Sequence, residues 1–74
     1  MSQSNDDVAD LAPSAKLVYK VLEHNGQLTQ QQIAEESLLP DRTVRHALSE
    51  LESNEVVEEQ IHFADARQRL YNLQ

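Results

Sequence analysis

The chain has 74 residues, thirteen Asp or Glu against six Lys or Arg, a net charge of −7 and no cysteine. That length allows one small domain, and the missing cysteine excludes disulfide or cysteine–metal support. No apolar run approaches the roughly 20 residues of a membrane span, and no basic segment leads into an apolar one at the N-terminus, so a soluble cytoplasmic protein is expected.

Residues 1–10 hold Ser, Asn and three Asp, with only Val8 and Ala9 as small apolar side chains after Met1. Such a segment cannot bury enough surface to offset the entropy of ordering it, and it is expected to be a disordered acidic leader to a domain over 11–74. Leu17, Val18, Val21 and Leu22 then recur at helical spacing, predicting a first helix over Leu11–Glu23. Pro13 suits its first turn, and Ser14 is the competing N-cap. Asn25-Gly26 closes it, with Gly26 free to take a positive φ. Together with Ala15 and Tyr19, the apolar positions cover a wider sector than one small domain is expected to bury.

Thr29 opens a second helix with Gln32 three residues on, the spacing of a capping box, and Leu28 leads in as a hydrophobic staple. Ile33 and Ala34 face inward. The helix is expected to stop near Ser37, because Leu38-Leu39-Pro40 forces a turn. Pro40 or Asp41 opens a third helix, where an acid at the first turn meets the positive end of the dipole. Val44, Ala47, Leu48 and Leu51 fall in one narrow sector of that helix. Arg42, His46, Ser49 and Ser53 fall opposite, with Arg45 flanking. Asn54 is placed to end it in the role often taken by glycine.

The period then changes. Val57, Ile61 and Phe63, and later Tyr71 and Leu73, alternate within Val56–Phe63 and Arg69–Leu73, while Ala64–Gln68 is polar enough for a hairpin tip. Leu28 offers a short third strand. The expected fold is mainly α with a small β-hairpin (α+β): a three-helix winged helix-turn-helix.

The segments PSAKLVYKVLE, LTQQQIAEESLLPDRTVRHALSELE, VVEE and FADARQRLYNL resemble the MarR-like winged-helix transcriptional regulators, in the very short form abundant in halophilic archaea. The resemblance covers nearly everything from Pro13 to Leu73. It implies that the helix carrying Arg42 enters the DNA major groove and that the wing arginine reaches a flanking minor groove. Larger members dimerise through helices flanking this domain. A homodimer of this chain is expected to use the first helix, the N-terminal segment or a strand edge.

Double-stranded DNA is the partner these features suggest. Arg42 and Arg45 can take guanine bidentately, and His46 offers one donor or acceptor. Thr43 and Ser49 can add phosphate contacts, as can Thr29, Gln30 and Gln31 at a helix N-terminus, where free amides favour an anion. Arg67 at the wing tip can enter a narrow minor groove, and Arg69 follows on the strand. Each has a plainer alternative: a solvated helix face for Arg42, Arg45 and His46, capping for Thr29, and a turn-holding pair with Asp65 for Arg67.

His24, His46 and His62 share no metal-ligand spacing, and no nucleophile sits beside a base, so no cofactor, metal or enzymatic activity is expected. The acids are scattered, with only two lysines. This pattern fits a high-salt cytoplasm, the alternative being an ordinary acidic domain that meets a basic protein partner. A winged-helix protein-interaction module of the transcription machinery is the competing function.

Overall fold

The computed structural model describes residues 11–61 and 69–74; the expected acidic leader, Phe63 and the hairpin tip with Arg67 lie outside them. Helix α1 runs Pro13–Asn25, strand β1 Leu28–Thr29, helix α2 Gln30–Ser37, helix α3 Asp41–Ser53, strand β2 Val57–Ile61 and strand β3 Arg69–Leu73. Three helices and an antiparallel three-stranded sheet of order β1-β3-β2 make up the winged helix-turn-helix expected from the sequence.

Helix α1 begins with Ala12 at the N-cap and Pro13 inside the first turn, so Ser14 does not cap it. It runs two residues past the expected end. There the Gly26 N–H donates to the Leu22 carbonyl at 2.7 Å, with Gly26 at φ 87 and ψ −109. That conformation is open to glycine because it lacks a β-carbon. The helix buries Ala15, Val18, Tyr19 and Leu22 but leaves Leu17 40% exposed. The wide apolar sector is therefore only partly used.

Helix α2 starts with both halves of its capping box in place. The Gln32 N–H donates to Thr29 Oγ1 at 3.1 Å, and the Thr29 N–H donates to Gln32 Oε1 at 2.9 Å. Leu28 and Ile33 stand at the staple positions, Ile33 fully buried and Leu28 packed against the core. Leu28 also serves the sheet, pairing with Tyr71 while Thr29 pairs with Leu70.

Helix α3 is a divided cylinder. Val44, Ala47, Leu48 and Leu51 are buried against α1, α2 and the sheet, where they join Leu22, Ile33, Val57 and Tyr71 in one core. Full burial of each large aliphatic side chain contributes about 1.5–3 kcal/mol. Strand β2 forms one edge of the sheet, and its exposed Glu58 and Gln60 discourage pairing with another chain.

Two turns depend on left-handed backbone at residues other than glycine. Leu38, at φ 62 and ψ 23, ends α2 by donating its N–H to the Ala34 carbonyl. At the end of α3 the left-handed residue is Glu55 at φ 60, whereas Asn54 sits at φ −93. The expectation that Asn54 takes the glycine role is thus corrected by one position. The Glu55 N–H donates to the Glu52 carbonyl and the Val56 N–H to the Leu51 carbonyl, each at 3.0 Å. This is the paired-bond geometry of a Schellman ending, with buried Val56 and Leu51 making its apolar contact. Asn54 contributes through its side chain, whose Nδ2 donates to the Glu50 carbonyl.

Left-handed backbone costs an L-residue about 1–2 kcal/mol, offset in part by the greater unfolded-state entropy of glycine. Leu38→Gly and Glu55→Gly are therefore each expected to stabilise the fold by about 0.5–1 kcal/mol, read as a rise in the urea midpoint. A lower midpoint in either variant would contradict the strain assigned to that turn.

Candidate nucleic-acid interface

Burying one stripe of α3 determines what its other side presents. Arg42, Arg45, His46 and Ser49 are exposed and Thr43 is half-buried. Among the described residues the ion pairs are Lys20–Glu23 and Arg69–Glu59, so neither Asp41 nor Glu52 holds Arg42 or Arg45. Arg42, His46 and Ser49 lie opposite the core. Arg45 occupies the hairpin-side flank, near enough to Tyr71 to act on its charge.

Beside this face lies an open cleft of about 560 Å³, lined by Thr29, Gln30 and Gln31 from the start of α2, Glu35 further along it, Asp41 from α3 and Arg69 from β3. The cleft brings the start of α2 to the start of α3 and the base of the hairpin. Thr29 is buried at 6% exposure, and both its hydroxyl and its N–H are taken by Gln32. Its structural work is capping, which orients the exposed Gln31 and half-exposed Gln30.

Arg69 is on β3 as expected, but with a partner that sequence reasoning missed: its Nη1 donates to Glu59 Oε2. Glu59 pairs directly with Tyr71, and Arg69 with Ile61, so Glu59 and Arg69 are diagonal neighbours on one sheet face. Long side chains span that diagonal readily. The register was the missing information, because the two residues stand ten apart in the chain. Among the described residues no three potential metal-binding side chains come together, and no helix is long and apolar enough to cross a membrane.

Glu52 of α3 faces the same pair. Its carboxyl is pushed above the ordinary carboxylate range by burial first, then by the Glu59 charge and a hydrogen bond with Glu59, with Arg69 opposing. Tyr71 is likewise pushed up, mostly by burial and then by Glu59 and Glu52. A raised carboxyl pKa means that the charged form is less comfortable folded than unfolded. The penalty acts at neutral pH, is relieved as pH falls through the folded value, and is gone below the unfolded one. Glu52→Gln should therefore raise the melting temperature at about pH 7 and lose that gain by about pH 4. An equal gain at both, or a loss at neutral pH, would contradict the penalty on the charged Glu52 carboxylate.

No curated protein matches this sequence. Solved structures do resemble the fold. The PcaV transcriptional regulator from Streptomyces coelicolor, in complex with its natural ligand, superposes with a TM-score of 0.84 at 18% identity, over 96% of this chain and 52% of its own. A MarR family transcription regulator gives 0.84 at 14%, over 96% of this chain and 48% of its own. Reduced AbfR bound to DNA gives 0.81 at 22%, over 96% and 53%. The chain thus spans about half the length of these regulators. The family model described as winged helix-turn-helix DNA-binding matches residues 11–58, which contain all three helices and the start of the hairpin. With the α3 face and the hairpin in place, this chain belongs to the winged helix-turn-helix DNA-binding family.

Proposed function

We propose that this protein is a sequence-specific transcriptional regulator of the MarR type that reads double-stranded DNA with α3 in the major groove and its hairpin on the flanking groove. The observation that carries the reading is the division of α3: its apolar stripe is fully committed to the core, while Arg42, Arg45, His46 and Ser49 remain at the surface. Arg42 and Arg45 are the principal readers, through bidentate bonds to guanine or bonds to phosphate. His46 supplies one further base contact, and Thr43 and Ser49 supply phosphate contacts. Gln30 and Gln31 present backbone amides at the start of α2 to a phosphate, with Thr29 holding that turn. Arg69 and Arg67 serve the hairpin side.

The net charge of −7 sets the conditions under which this works. At molar salt the Debye length is about 3 Å, so acids away from the contact hardly repel the duplex. The same salt removes most of the counterion-release drive. Binding then rests on short-range bonds from a few arginines, which is the regime suited to a high-salt cytoplasm. At low salt the repulsion from thirteen acids returns. A homodimer reading two half-sites about one helical turn apart fits the fold. The exposed Leu17 of α1, with half-buried Val21 one turn on, offers a surface for that pairing.

Selection of duplexes from a random pool in molar KCl should enrich a single motif. Arg42→Ala or Arg45→Ala should weaken binding to that motif by about 1–3 kcal/mol, or roughly ten- to hundredfold, without lowering the melting temperature. No enrichment, together with a protein partner that survives both substitutions, would replace DNA reading with a protein-interaction role. Light scattering on the free chain and the complex tests the dimer.

A further inference from the structure

We propose that Glu59 is a built-in competitor of the DNA backbone: it occupies Arg69 on the hairpin, and Arg69 contacts a phosphate by exchanging one anionic partner for the other. The inference rests on the DNA-reading function proposed above and concerns the regulation of that same interface.

The two partners are unequal in position. The Glu59 side chain is 26% exposed and the Arg69 side chain 58%. Arg69 is therefore the reachable half of the pair, and it opens onto the cleft shared with Gln30, Gln31 and Asp41. The carboxylate approaches from the opposite side, on the sheet face that also carries Tyr71. An incoming phosphate thus meets an arginine whose charge is already answered. Glu52 brings a second carboxyl close enough to act on Glu59, while Glu35 and Asp41 line the cleft with Arg69.

Exposed ion pairs hold weakly, since solvent and salt screen them and two long side chains must be ordered to make them. Phosphate can therefore displace Glu59, but the displaced carboxylate stays beside the contact. Glu59 in this way lowers affinity for any duplex by about the same factor, without touching the base-reading residues of α3.

The test measures binding of the selected motif and of a random duplex across a KCl series. The proteins are wild type, Glu59→Gln, Glu58→Gln and Glu59→Gln/Arg69→Ala, each checked for an intact melting transition. Glu58→Gln changes net charge equally, from an exposed β2 position without a bond to Arg69. The expected result is an affinity gain of about two- to fivefold in Glu59→Gln. It should be similar for random and selected DNA and accompanied by a slope of log K against log salt steeper by about one. The gain should be absent from Glu58→Gln and abolished in the double variant. An equal gain in Glu58→Gln would reduce the effect to net charge, and a loss in Glu59→Gln would make Glu59 a support that aims Arg69 at DNA. Either result overturns the proposal while leaving DNA reading intact. Failure of wild type to bind DNA at any salt overturns both.

Discussion

The interface depends on how α3 is held. Its apolar residues occupy one narrow sector, and all four are buried. A thirteen-residue helix with such a stripe has one low-energy orientation about its axis, because turning it would expose Leu48 and Leu51 and bury Arg42 and His46. Burying an unpaired guanidinium costs several kcal/mol, far more than any contact the rotated helix could gain. Core packing therefore aims the basic face, and α1, α2 and the sheet serve as the socket that keeps it aimed.

The elements around α3 reach that arrangement through turn chemistry of uneven quality. The start of α2 is well made, with a reciprocal capping box and a staple that also feeds a strand. The ends of α2 and α3 instead place leucine and glutamate in left-handed backbone. Leu38 is also 89% exposed, so its side chain gains almost nothing from burial at that position. These strained joints flank the proposed reading helix on both sides. The strain falls on the two connections that set where α3 begins and where the hairpin departs.

Much of this was legible in the sequence wherever a local rule was at work. The spacing of Val44, Ala47, Leu48 and Leu51 announced the buried side of α3, and Thr29 with Gln32 announced the capping box. Pro13 and Gly26 bracketed α1, the proline because its fixed φ suits a first turn and the glycine because it tolerates the positive φ just past the last one. What escaped depended on geometry outside any local window. Asn54 was a reasonable left-handed residue, yet the helix ran on so that Glu55 took the position. Thr29 was legible as a cap, but not that the fold would bury its side chain to 6% exposure. Arg69 gained its partner only once the β2–β3 register set it diagonal to Glu59. The width of the apolar sector on α1 was readable, but its division between core and surface was not. That division is set by how much area α3 and the sheet can cover.

The central claim is that the face of α3 left over from core packing is the face that meets DNA. Amide chemical-shift mapping on the isotope-labelled full chain, titrated with the selected duplex, tests it most directly. The account predicts shifts concentrated at residues 42–49, with a second group at Gln30, Gln31 and Arg69 and little change along α1. Shifts centred on Leu17 and Val21 of α1, with Arg42, Arg45 and His46 unmoved, would contradict it.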